Sequence, residues 1–183
     1  KQNKLDEAEL LYKRALEGRE EMLGPKHSST LTTVNNLAGL FKKQNKLDEA
    51  ELLYKRALEG REEMLGPKHS STLTTVNNLA GLFKKQNKLD EAELLYKRAL
   101  EGQEEMLGPK HSSTLNTVNN LAILFYKQNK LDEAESLLKW ALKGYEEIHG
   151  PKHSFTLKTV ELMIHILKIQ GRIDEANELK LKY

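Results

Sequence analysis

Apolar residues recur along this chain in two alternating patterns, each with the three- and four-residue steps of an amphipathic helix. From Ser28 to Gln44, SSTLTTVNNLAGLFKKQ, the residues Leu31, Val34, Leu37, Ala38 and Phe41 fall on one face. Ser28 or Ser29 can supply an N-cap oxygen, and Lys42 and Lys43 stand in the last turn, where the helix dipole favours cations. From Leu47 to Leu65, LDEAELLYKRALEGREEML, the apolar stripe is Ala50, Leu53, Tyr54, Ala57, Leu58, Met64 and Leu65, with Asn45 or Asp48 as candidate caps. Gly66-Pro67 stops this helix, because Gly accepts the left-handed position past the last turn and Pro cannot continue the ladder. Gly60 lies inside it at a cost of about 1 kcal/mol relative to Ala, which tight contact with a neighbouring helix would offset. Glu51 and Lys55, four apart in the favourable order, read as surface support.

The two patterns are one unit written repeatedly. Residues 1–42 and 43–84 are identical at every position, and residues 85–126 depart at four, Gln103, Asn116, Ile123 and Tyr126. Residues 127–168 depart at sixteen positions, and 169–183 begin a degenerate fifth copy. A fixed period of this fidelity predicts an all-α solenoid of antiparallel helix hairpins, in which each hairpin covers the side its neighbour leaves bare. The expected organisation is a single array over 1–183. An unpaired second helix of a truncated repeat fills 1–27, and hairpins follow over 28–69, 70–111 and 112–153. A degenerate C-terminal capping hairpin closes the array over 154–183. Because Lys1 opens inside a hairpin, the chain reads as cut from something longer, with an apolar side of the helix from Leu5 to Leu23 left uncovered. End-to-end stacking or exchange of terminal helices between copies would cover it, so a homo-oligomer is one expectation.

Composition narrows the function classes. The net charge of +2 is too small to imply nucleic-acid binding, and no apolar run approaches the roughly 18 residues of a membrane span. There is no cysteine, which excludes disulfides, thiol catalysis and thiolate metal sites. A cytoplasmic location is expected, although missing targeting signals say little about a truncated chain. No nucleophile–base pair, Gly-rich phosphate loop or metal cluster stands out, so neither an enzyme nor a cofactor is predicted.

The stretch VNNLAGLFKKQNKLDEAELLYKRAL, Val34 to Leu58, resembles the tetratricopeptide repeat signature. Leu37, Ala38, Phe41, Leu47, Ala50, Tyr54, Ala57 and Leu58 fall where that family places its large and small packing residues. Val34 stands where the family often has Trp, Asn45 where it often has Gly, and the Pro that closes a 34-residue unit is absent. The second helix instead runs on through EGREEMLGPKH to a period of 42, which is similar to the kinesin light chain branch. The resemblance implies a right-handed superhelix with peptides lying in an inner groove lined by the first helix of each hairpin. Carried over by position, the groove set is Thr32, Asn35, Asn36, Gly39, Lys42 and Lys43, then Thr74, Asn77, Asn78, Gly81, Lys84 and Lys85, then Asn116, Asn119, Asn120, Ile123, Tyr126 and Lys127. Their three- and four-residue spacing, clear of the apolar stripe, supports the same face independently. Asn amides offer donors and an acceptor to an extended backbone. First-helix lysines against second-helix acids predict an acidic protein or peptide as partner.

The remaining features read as structural. In the fourth hairpin Glu161, Leu162, Ile164 and His165 replace Asn, Asn, Ala and Gly, and Phe155, Met163, Ile166 and Ile169 make its first helix apolar on nearly every side. This is expected of a cap that has lost the backbone-binding amides, with a hydrophobic docking site as the alternative. His27, His69 and His111 recur in GPKHSST, where loop entry and capping explain them better than anion binding. Gly150-Pro151 separates His149 from His153, so no helical face aligns them as a metal pair. Trp140 and Tyr145 are expected to pack against the short terminal helix.

Overall fold

The computed structural model describes residues 2–183, with side chains from Lys4 onward. The described residues form nine α-helices and no strand: α1 Gln2–Leu23, α2 Ser28–Lys43, α3 Leu47–Leu65, α4 Ser70–Lys85, α5 Leu89–Leu107, α6 Ser112–Lys127, α7 Leu131–His149, α8 Ser154–Ile169 and α9 Ile173–Lys182. They fall into two compact units, 1–102 and 103–183, with the boundary inside α5. Within the first unit α1 packs on α2, α2 on α3 and α3 on α4; within the second α6 packs on α7, α7 on α8 and α8 on α9.

The predicted stripes become the core. Leu31, Val34, Leu37, Ala38 and Phe41 of α2 are buried, as are Ala50, Tyr54 and Ala57 of α3. Gly60 earns its place by proximity, since a Cβ there would stand 2.8 Å from Leu31 Cδ2. The same knob-on-glycine contact joins Leu73 to Gly102 and Leu115 to Gly144. The stripe of α3 does not reach the helix end as expected: Met64 and Leu65, in its last turn, are exposed. In α8, likewise, Met163 and Ile166 are buried while Phe155 and Ile169 stay exposed.

The helix ends correct the expected caps. Neither Ser28 nor Ser29 caps α2; His27 does, its Nδ1 accepting from the Ser29 N–H at 3.2 Å. His69, His111 and His153 repeat this bond at α4, α6 and α8. A threonine then ties the loop down, with Thr30, Thr72, Thr114 and Thr156 each donating to the carbonyl of the glycine six residues earlier. Neither Asn45 nor Asp48 caps α3. The N-cap is Lys46, which makes no side-chain cap bond. Asn45 instead takes a left-handed turn at φ 66°, a conformation Asn tolerates better than most residues.

Between hairpins the second helices are laced by ion pairs. Glu51 accepts from Lys55 on its own helix at 2.6 Å and from Lys88, one hairpin on, at 3.0 Å. Glu9 does the same with Lys13 and Lys46. Arg56 pairs with Glu20, Arg98 with Glu62, and Arg172 with both Glu135 and Glu175. Glu51 and Lys55 are therefore half of an inter-hairpin tie as well as local support.

Candidate functional site

In the first unit, the groove residues of α2 and α4 gather on one polar strip. Asn35 is buried and hydrogen-bonded from two directions: its Nδ2 donates to Asn36 Oδ1 at 3.5 Å, and its Oδ1 accepts from Asn78 Nδ2 at 3.3 Å. The amides of neighbouring hairpins thus hold one another in place. A cavity of about 370 Å³ opens beside them, lined by Tyr12, Asn35, Asn36, Gly39, Leu40, Lys43, Tyr54 and Asn78. Gly39 matters here for its missing side chain, since a Cβ would meet the Tyr54 hydroxyl at 3.3 Å. Burial pushes the Tyr54 phenol up to about 12, so at neutral pH it is an O–H donor.

Four lysines border this strip. Lys43 and Lys85 are exposed, and Lys42 and Lys84 are half-buried. Lys85 Nζ donates to the Lys42 carbonyl at 2.6 Å, while the Lys84 ammonium lies over the Tyr96 ring, 5.7 Å from its centre. Burial first, and the charge of Lys85 second, lower the Lys42 amine from its ordinary value. Thr32 and Asn77 share the α2 and α4 strip, but Thr32 is also engaged from behind, its Oγ1 accepting from Arg61 at 3.1 Å. Thr74, one repeat on, is exposed and donates to the Ser70 carbonyl at 2.8 Å. Arg61 adds a group outside the predicted set. It is buried on α3 and also donates to the Ser71 carbonyl at 2.8 Å and to Thr75 Oγ1 at 2.7 Å, riveting two hairpins together.

The second unit carries the same strip with its chemistry altered. Asn116 Oδ1 accepts from the Tyr145 hydroxyl at 2.8 Å, and Asn119 Oδ1 accepts from Thr159 Oγ1 at 3.4 Å. Ile123 is half-buried, Asn120 stands next to it on the same face, and Lys127 is exposed. Tyr126 meets His165 edge-on, with Oη and Nε2 2.8 Å apart. These are paired changes. Asn116 and Tyr145 stand where the first two copies have Thr and Arg, and Tyr126 and His165 where the first two have Lys and Gly. The signal was present as co-occurring departures from the repeat, but nothing in one dimension says which departure touches which.

Two expectations about this end are corrected. Trp140 and Tyr145 do not turn toward α9. Trp140 Nε1 donates to the Pro109 carbonyl at 3.1 Å, ahead of α6, and the Tyr145 ring sits 5.5 Å from that of Phe155 at the start of α8. Arg61, at the position matching Tyr145, likewise reaches first-helix residues, Thr32 and Thr75. His149 and His153, separated by the Gly150-Pro151 turn, are nevertheless brought together as stacked rings 4.4 Å apart. No group of three or more metal-ligating side chains occurs among the described residues, and none of the described helices is long and apolar enough to cross a membrane.

A family model for the tetratricopeptide repeat matches residues 1–63 and 71–147. Among solved structures, BtubC (BKLC) from P. vanneervenii superposes with a TM-score of 0.83 at 25% identity, over 99% of this chain and 75% of that one. A putative kinesin light chain from Podosopora anserina, with nearly identical TPR-like repeats, gives 0.81 at 22%, over 99% and 85%. Aspartyl phosphate phosphatase F from Bacillus subtilis gives 0.80 at 18%, covering 99% of this chain and 47% of its own, a likeness of fold alone. A search of curated protein sequences finds no match.

Proposed function

The chain belongs to the tetratricopeptide repeat family, as an array of the kinesin light chain-like type, and from that premise we propose that the polar strip of its first helices binds an extended, acidic segment of a partner protein. Arrays of this family serve as protein–protein interaction scaffolds, and no reaction is proposed for this one. The observation that carries the finer reading is the cavity framed by Asn35, Asn36, Asn78, Tyr54 and Lys43. It combines amide donors and acceptors with a phenol and an ammonium, and has no carboxylate in its lining. An extended backbone can exchange hydrogen bonds with the amides, and acidic side chains are favoured by Lys43 and the lysines beside it. Within the second unit, α6 carries the corresponding amides Asn119 and Asn120, whereas the fourth hairpin carries Glu161 and Leu162 instead and serves as the cap.

The test is a peptide array probed with the chain, followed by affinities for the strongest hits. Asn77→Ala with Asn78→Ala should weaken them about tenfold, the equivalent of one to two hydrogen bonds, with helicity unchanged. Binding should also weaken as salt rises. Unchanged affinity in the double variant, or hits without acidic enrichment, would remove this reading.

A further inference from the structure

The lysine at the end of α2 is unlike the others. A Cβ added to Gly81 would stand 2.7 Å from Lys42 Nζ and 3.2 Å from the Tyr96 hydroxyl, so the bare glycine forms the floor of a niche in which the Lys42 amine sits. No carboxylate is within ion-pair reach of that amine among the described residues, and the charged group bearing on it is another cation, Lys85. Half-burial first, and the like charge of Lys85 second, make the neutral form of this amine easier to reach than that of an exposed lysine. The matching residue one repeat on, Lys84, has its ammonium over the Tyr96 ring instead. Identical local sequence thus gives two different amines.

We propose that Lys42 is the preferred acylation site of this chain, taking its acyl group from small anionic donors such as acyl phosphates. The neutral amine nitrogen attacks the acyl carbon and forms the N–C bond. The C–O bond to phosphate breaks, inorganic phosphate leaves with the electron pair, and the nitrogen gives its extra proton to water. Lys43 and Lys85 draw the anionic donor toward the niche. The product is an uncharged amide, which removes the desolvated positive charge from the Gly81 niche. The regulatory consequence, loss of one cation that selects acidic segments, rests on the function proposed above; the modification itself does not.

The probe is acetyl phosphate at limiting dose on the intact folded chain, read by mass spectrometry after digestion. Because residues 1–42 and 43–84 are identical, Lys42 and Lys84 occupy the same peptide sequence, and Lys42→Arg and Lys84→Arg are needed to separate them. Acetylation on the first lysine of the shared Phe-Lys-Lys segment should fall severalfold in Lys42→Arg and stay nearly unchanged in Lys84→Arg. Gly81→Ala, which evicts the amine, should bring the remaining yield down toward that of Lys84. Equal losses in the two arginine variants overturn the proposal, as does full labelling in a folded Gly81→Ala chain. Should Gly81→Ala fail to fold, the arginine pair still decides, since neither alters the niche floor. No partner enters this readout, so its failure is separate from failure of the peptide-binding reading.

Discussion

Alanine at Gly60 should destabilise the chain against its own helix propensity, and the sign should turn once Leu31 is shortened. At Gly60 the Cβ would stand 2.8 and 2.9 Å from the two terminal methyls of Leu31, a side chain only 2% exposed. Both methyls flank the new carbon, so turning one aside brings the other in, and overpacking of this kind costs about 1–3 kcal/mol. Subtracting a propensity gain of about 1 kcal/mol leaves Gly60→Ala about 1 kcal/mol less stable than the parent. In a Leu31→Ala background both methyls are gone, and the same change keeps the propensity gain of about 1 kcal/mol. Urea unfolding reads the two as midpoint shifts of opposite sign. Equal shifts of the same sign would refute the packing account, because propensity alone treats the two backgrounds alike.

Three further outcomes follow from named contacts. His69→Ala should cost about 1 kcal/mol by removing the Nδ1 cap on Ser71 N–H, and His69→Asn should restore most of it, read by thermal denaturation. Tyr145→Phe and Asn116→Ala should each destabilise, with a double-mutant coupling of about 1 kcal/mol if their hydrogen bond is what unites them. Glu9 and Glu51 are held near pKa 2 against an ordinary 4.5, by Lys13 and then Lys46 for Glu9, and for Glu51 by Lys55 and then Gln86 and Lys88. A lowered carboxylate contributes stability above its unfolded value and loses it as pH falls through the folded one, so melting temperature should drop between about pH 4.5 and pH 2, and Glu51→Gln should flatten that limb.

The repeat made most of the local structure legible. Helix positions, the buried faces of α2 and α3 and the packing role of Gly60 follow from apolar spacing and from small residues among large ones, both one-dimensional signals. Caps were less legible, because Ser, Asn and Asp compete for the same sites and a histidine nitrogen serves only when its loop aims it. The candidate strip was visible as a face, while the cavity beside Gly39, the niche under Lys42 and the partners of Arg61 were not.

By itself, the sequence determined that this chain is an all-α array with a 42-residue period and which residues lie inside it, since hydrophobic spacing must match the helical turn. Tertiary structure alone decided what identical residues do. Lys42 and Lys84 share every near neighbour along the chain and differ in what the adjoining helix brings to them. Packing density, burial and charge are properties of that neighbour, which lies tens of residues away in the chain and a few ångströms away in space.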